Sequence, residues 1–344
     1  MKNLKNLMII AALLAVVGAY FGWDYYKMYF ASNVPSQLQD EFVCIPTDSK
    51  FDDVVDILSK KGFIEDEATF RAASDRMNYK ENKIRSGRWK IKGGWGNKQL
   101  VQHLRSGEQS TVKVVLNYER QVENIAAKAA RFIECDSASI VEKMNDQAYL
   151  ATIGYNKDDL MSIFIPNSYD MYWNSTPEKF IERMVKESNT FWDKNERRDK
   201  AKLLNLTEKQ VYALASIVEK ESNNVDERPV IAGAYLNRLK INMKLQADPT
   251  CVFATKDFTT KRVTNVHLLF DSPYNTYLHT GLPPGPISIA SPSSIDAVLN
   301  HEKHNYIFFC ARPDNSGTHA FAETFAQHNV NVAKYIAWIN SRGL

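Results

Sequence analysis

From Leu7 to Trp23 (LMIIAALLAVVGAYFGW) the chain runs without a charge, and only beyond that stretch do apolar and polar positions begin to alternate. The run is at the short end of what crosses a bilayer core. Lys2 and Lys5 precede it, and Tyr20, Phe21, Trp23, Tyr25 and Tyr26 crowd its far end. Basic residues on one flank and an aromatic belt on the other predict an uncleaved single-pass anchor over residues 1–30, with its N-terminus in the cytoplasm. The rival reading is a secretory signal peptide cut after Ala19. The aromatic cluster straddling that site argues against cleavage. Either way, the chain beyond residue 30 lies outside the cytoplasm.

Residues 30–45, with Pro35 and small polar side chains, read as a stalk leading into a first strand. Phe51, Val54, Val55 and Leu58 then recur at helical spacing, and Gly62 stops that helix. A second helical stretch follows near Glu67–Met77. Gly87–Lys92 (GRWKIK) alternates as a strand, Asn97 can cap a helix carrying Leu100, Val101 and Leu104, and Gly107 ends it before a strand from Val112 to Tyr118. Residues 40–118 thus form a small α+β unit, the size of a module rather than of an enzyme. Residues 119–205 look mostly helical, interrupted by FIPNSYDMYWN (Phe164–Asn174). Aromatics and amides in a loop suit sugar rings, although for that segment taken alone a well-packed turn is the preferred reading.

Thr207-Glu208-Lys209-Gln210 has the form of a capping box and predicts a helix running through VYALASIVEKES. On it Val211, Leu214, Ile217 and Val218 make the apolar stripe. Glu221 shares their face. Glu219 instead groups with Tyr212, Ala215 and Ser216, toward the polar side. Only Glu221 is aimed into the protein, where apolar surroundings keep a carboxylic acid protonated and fit it to serve as a general acid. The alternative is that the helix ends at Glu221 and its carboxylate swings into solvent. Downstream come LQADPT (Leu245–Thr250), SPYNTY (Ser272–Tyr277), the stiff GLPPGP loop (Gly281–Pro286) and GTHAF around His319. Polar and aromatic groups on rigid loops are how a scaffold builds a ligand cleft.

Composition narrows the classes. The chain is 344 residues, 44% hydrophobic and 24% charged, as folded proteins are, and its formal net charge of +3 gives no reason to expect a nucleic-acid partner. Cys44, Cys135, Cys251 and Cys310 are too scattered for a zinc or redox motif and read as buried fillers, with a disulfide between two of them left open. His301 and His304 lack a third ligand at supporting spacing, so no metal is expected. No nucleophile elbow is present, and Ser222 reads as an ordinary helical serine.

ASIVEKES, AGAYLNRLKINMKLQADPT, SPYNTYLHTGLPPGPI, SIDAVLN, EKHNYIFF and GTHAF, in that order, resemble the catalytic region of the YceG-like (MltG) family of membrane-anchored endolytic murein transglycosylases. Upstream, IRSGRWKIKGGWGNKQLVQHLRSG is similar to that family's LysM-like module, and IPNSYDMYWN to its IPNTYxxYW segment. The resemblance implies an α+β protein with an N-terminal transmembrane helix (1–30), a small LysM-like module (40–118) and a larger mixed α/β catalytic domain (119–344). The catalytic glutamate, on a helix, would be Glu221. It implies cleavage of the β-1,4 bond between N-acetylmuramic acid and N-acetylglucosamine within glycan strands, leaving 1,6-anhydro ends, with no cofactor and no metal. By position in the matching blocks, Gln246, Asp248, Asn275, Tyr277 and His319 would line the cleft, while Asn237 and Arg238 would stabilise the fold.

Partners implied are peptidoglycan strands, the inner membrane, and peptidoglycan synthases of the elongation machinery. Two departures stand out. Where many relatives read I-x-N-P-G-x-x-S-[IL], this chain reads Ile287 to Ile295 as ISIASPSSI, although Ser291-Pro292 still makes a good helix start. The loop RPDNSGTH before His319 is also longer than usual. Two rival functions remain: a muramidase-type hydrolase, with Asp226, Glu227 or Asp248 as second carboxylate, and a non-enzymatic peptidoglycan-binding anchor.

Overall fold

The long apolar run forms helix α1 (Lys2–Tyr29); its Leu4–Tyr29 portion is long enough to cross a membrane and contains an 18-residue window of mean hydropathy 2.0 in which no residue is buried. The structure, a computed structural model, describes residues 2–39, 41–80, 84–260 and 262–342. Asp40, where the module's start is expected, lies outside the described residues, as do Met1, Gly343 and Leu344. The chain divides into two units, one built chiefly from residues 1–113 and the other chiefly from 114–344.

The first unit continues with β1 (Glu41–Ile45), α2 (Phe51–Lys60), α3 (Glu67–Arg76), β2 (Gly87–Ile91) and α4 (Asn97–Ser106), and β3 (Thr111–Leu116) follows. β1 and β2 pair antiparallel, with Val43 opposite Trp89 and Ile45 opposite Gly87. Alternation puts Val43, Ile45, Trp89 and Ile91 on one face. That face packs against Val54, Val55 and Leu58 of α2, Phe70 of α3, and Leu100 and Leu104 of α4. The order is strand, helix, helix, strand.

Two local expectations change here. The expected stalk is part of the core: Val34 is fully buried, and the backbone N–H groups of Asn33 and Val34 donate to the Trp95 carbonyl. Asn97 does not cap α4. Gly96 precedes the helix, its N–H donating to Gln99 Oε1 at 3.2 Å, while the Asn97 side chain turns inward. There it accepts from Asn33 at 2.7 Å and donates to the Met28 carbonyl of α1 at 3.0 Å. A buried amide satisfied on both ends ties the anchor helix into this unit.

The second unit contains α5 (Val122–Ala129), α6 (Ser137–Asn145), α7 (Gln147–Thr152), α8 (Pro177–Trp192), α9 (Arg197–Leu203), α10 (Glu208–Glu221), α11 (Arg228–Lys240), α12 (Asp248–Thr255), α13 (Asn265–Leu268) and α14 (Pro292–Leu299). The stretch expected as a loop after Phe164 instead holds a strand, β4 (Asn167–Tyr172). Its Tyr169 is buried, the hydroxyl donating to the Ile165 carbonyl, and is closed to any sugar. The chain ends with the antiparallel pair β5 (Phe308–Ala311) and β6 (His319–Ala322), then α15 (Phe325–Ser341).

α10 is the axis of this unit. The predicted capping box forms, the Thr207 N–H donating to Gln210 Oε1 at 2.9 Å and Gln210 N–H to Thr207 Oγ1 at 3.2 Å. From Val211 to Val218 every residue is buried, against α11, α14 and the segment before α14. A helix enclosed on all sides has no solvent face for its polar residues.

The polar stripe of α10 therefore bonds to protein. Ser216 Oγ accepts the Ile287 N–H at 3.0 Å, and Tyr212 Oη accepts the Ala290 N–H at 3.1 Å while donating to the Phe164 carbonyl at 2.5 Å. Glu219 accepts from the Ser291 N–H at 3.2 Å and from the hydroxyls of Ser291 and Ser294, and it pairs with Arg228 at 3.4 Å. Glu219 is thus a largely buried tie to the ISIASPSS segment, not a solvated charge. Within that segment Ser291 caps α14 and Pro292 opens it, as the sequence predicts.

Candidate active site

α10 ends where its apolar stripe runs out, and Glu221 is its last residue. Ser222 leaves the helix in extended conformation (φ −138°), buried, with its hydroxyl donating to Glu227 Oε2 at 3.0 Å. It is a cap rather than a helical serine. The sharp exit fixes the direction of the preceding side chain. Glu221 is partly buried and lines a cavity of about 500 Å³ together with Arg120, Lys220, Asp248, Val252, Phe253, Phe258, Arg262 and Ile287.

The hydroxyl of Tyr235, a buried residue of α11, donates to Glu221 Oε1 at 2.6 Å. Burial dominates the acid's protonation and pushes its pKa from an ordinary 4.5 up to about 7. The Tyr235 hydrogen bond opposes that rise, the charge of Asp248 adds to it, and His319 and Arg238 oppose it. Tyr235 itself is held far above its usual range by burial and by the carboxylate it serves, so it remains a donor.

Two further ties surround the acid. Asp248 opens α12, and the Tyr277 hydroxyl donates to its Oδ1 at 2.6 Å. Burial and that carboxylate both push the Tyr277 hydroxyl's pKa up. His319 opens β6, where its backbone N–H donates to Glu227 Oε1 at 2.6 Å and its Nδ1 meets Glu227 Oε2 at 2.8 Å. Glu227 is buried between His319 and Ser222, so it is committed to positioning and does not face the cavity. Arg238 is buried and donates from Nε to the Ile307 carbonyl at 2.6 Å and from Nη1 to that of Leu245 at 2.5 Å. Asn237 donates to the carbonyls of His304 and Tyr306, the structural role expected of it.

The expected cleft residues divide accordingly. Asp248 is on the cavity wall, Tyr277 is bonded to it, and His319 lies near enough for its charge to act on Glu221. Asn275 is fully buried and does not line the cavity. Its amide donates to the carbonyls of His267, Leu268 and Phe270 and accepts from Cys251 and the Tyr277 N–H, leaving no capacity for a sugar. Gln246 is exposed at left-handed φ (49°), and its contribution to the fold is its backbone N–H, bonded to the Thr276 carbonyl at 3.1 Å.

Tyr235, Arg120 and Lys220 escape sequence reasoning. Tyr235 sits in an apolar helical run, and nothing in spacing alone says that its hydroxyl meets Glu221. Of the thiols, Cys44, Cys251 and Cys310 are free, and only Cys251 is fully buried. Among the described residues no set of three His, Cys, Asp or Glu side chains gathers to hold a metal. The His304 ring is occupied at both nitrogens, by the Val230 carbonyl and the Tyr306 N–H.

Comparison with known proteins adds independent findings. A model of the YceG-like family matches residues 43–334. An endolytic murein transglycosylase from Bacillus subtilis is 29% identical over 318 residues, covering 87% of this chain and 85% of that one. An endolytic murein transglycosylase from Streptococcus pneumoniae D39 is 24% identical over 363 residues, covering 96% of this chain and 64% of its own. A crystal structure of a yceG-like protein from Listeria monocytogenes matches with a TM-score of 0.57 at 27% identity, over 85% of this chain and 98% of that one.

Proposed function

This chain belongs to the YceG-like family, and from that premise we propose that it is an endolytic lytic transglycosylase of peptidoglycan with Glu221 as its single catalytic acid and base. The observation that carries the reading is the Glu221 carboxyl group, which lines a cavity, is bonded to Tyr235 and is held near pKa 7 by burial. Such a group is protonated often enough near neutrality to give a proton, and basic enough afterwards to take one back.

In the first half of the reaction Glu221 protonates the glycosidic oxygen between muramic acid and N-acetylglucosamine as that bond breaks. Tyr235 stabilises the resulting carboxylate. In the second half the carboxylate removes the proton of the muramic 6-hydroxyl, whose oxygen closes on its own anomeric carbon to leave a 1,6-anhydro end. No water is consumed. Intramolecular attack has a large effective concentration, so no second catalytic carboxylate is required.

Asp248 favours a second reading. It shares the cavity and is close enough to raise the pKa of Glu221, which suits a muramidase using two carboxylates. The other two candidates do not: Glu227 is engaged by His319 and Ser222, and Asp226 is exposed away from the cavity lining. Mass spectrometry of glycan digested by the full chain in detergent separates these readings. We expect 1,6-anhydro ends; reducing ends would replace the transglycosylase by the hydrolase.

The same proposal extends to the rest of the chain. Residues 1–30 would cross the cytoplasmic (inner) membrane once, leaving the remainder outside the cytoplasm. The 40–118 region would act as a LysM-like glycan-binding module, for which its strand-helix-helix-strand order is support. Residues 119–344 would be the catalytic domain, and synthases of the elongation machinery its partners. Glu221→Gln separates catalysis from binding: cells carrying it in place of the parent would lose function, whereas full function would favour a binding anchor.

A further inference from the structure

Tyr118 holds two cations. Arg120 Nε donates to its hydroxyl at 2.6 Å, and Lys220 Nζ lies 4.1 Å from the centre of its ring. The Arg120 guanidinium also sits 4.9 Å from the ring centre of Phe258. Both cations and Arg262 line the cavity that holds Glu221. Among the described residues none of the three has a carboxylate partner; Glu119, beside Arg120 in sequence, is taken by Lys128 at 2.5 Å. A smaller cavity of about 130 Å³ shares Arg120, Phe253 and Phe258 and adds Lys157 and Lys256, with Glu123 and Asp158 among its other charged groups.

Two like charges held on one tyrosine, with a third lining the same cavity, repel one another, and a bound anion would relieve that repulsion. Arg120, Lys220 and Arg262 line the space a substrate would fill and outnumber the carboxylates of Glu221 and Asp248 there, and cations gathered in a cleft attract an anion.

We propose that Arg120, Lys220 and Arg262 form an anion subsite that takes a carboxylate carried by the muramic residue, either on its lactyl ether or on the peptide attached there. This rests on the peptidoglycan reading given above. Arginine suits the task because its planar fork matches a carboxylate. Phe253 and Phe258 supply the apolar wall beside it.

The test is binding rather than turnover, so that it fails separately from the reaction. The full chain carrying Glu221→Gln, in detergent, is titrated calorimetrically with short glycan strands in three forms: bearing stem peptides, stripped to the free lactyl carboxylate, and stripped with that carboxyl converted to an amide. The neutral form is expected to bind roughly tenfold more weakly than at least one charged form. Tight binding of the peptide-bearing form alone supports a stem carboxylate, and tight binding of the stripped form supports the lactyl group.

Adding Arg120→Gln and Arg262→Gln, which leaves Lys220 in place, should remove most of the preference without weakening the neutral form, whereas Arg120→Lys with Arg262→Lys should retain more of it. Equal affinity for all three forms overturns the subsite. So does uniform weakening by the glutamine pair, or no measurable binding of any form. Reducing ends in the digest would change the reaction but leave this result standing.

Discussion

Glu221 is set by two opposing neighbours, an apolar burial that resists its charge and a tyrosine that rewards it. With a pKa near 7, activity should fall above neutrality with unit slope, because the first step needs the protonated acid; a kcat/KM profile from pH 5 to 9 reads this directly. Glu221→Gln should lower kcat by about a thousandfold while the variant still folds. Its stability carries a second signature. The folded pKa lies above the ordinary 4.5, so ionisation costs stability progressively between about pH 4.5 and 7, and the cost is complete above that window. Urea unfolding should therefore show the Gln variant more stable than the parent by up to about 3 kcal/mol at pH 8, with the gain vanishing near pH 4.5. Tyr235→Phe removes the group that favours the carboxylate. The alkaline limb should move to higher pH, with kcat roughly tenfold lower as the acid loses its orientation. An unmoved limb would mean that the Tyr235 bond does not act in solution.

At the scale of elements, α10 shows what a sequence reveals and what it hides. Thr207 and Gln210 give its start, and the stripe from Val211 to Val218 gives the face that points Glu221 inward. The same periodicity misplaces Glu219, because a helix wheel assumes that the polar side meets water. Whether it does is decided by another segment, ISIASPSS, which no local pattern connects to α10. Its serines and backbone N–H groups are what Tyr212, Ser216 and Glu219 bond to. Asn275 is misread for a related reason: a polar residue in a loop can serve the loop itself. Glu219→Ala should destabilise the protein by about 3–5 kcal/mol, because Arg228 would be left buried without its carboxylate. The GLPPGP loop offers a steric counterpart. A Cβ at Gly285 would fall inside van der Waals distance of the Asp158 carbonyl oxygen, so Gly285→Ala should cost about 1–3 kcal/mol in a denaturant melt.

For the whole molecule, the uncharged run, the switch between period-two and helical spacing and the order of the motif blocks point to an apolar helix, a small unit and a larger one, whereas the chain divides into two units with that helix inside the first. What composition could not supply was the connection between the first two. The protein should remain with membranes through a high-salt wash and leave them in detergent, whereas a chain lacking residues 2–23 should no longer sediment with them. That deletion would spare Met28, whose carbonyl accepts from the buried Asn97 amide. The bond makes the last turn of α1 part of the first unit's core. Trp23, where the uncharged run ends, is five residues before Met28, about 7–8 Å along a helix. With α1 in a bilayer, the first unit has no tether to swing on, and its height is set by helix geometry rather than by chain entropy. It would lean as α1 leans, and were it to act as the glycan-binding module proposed above, it would meet only strands lying against the membrane.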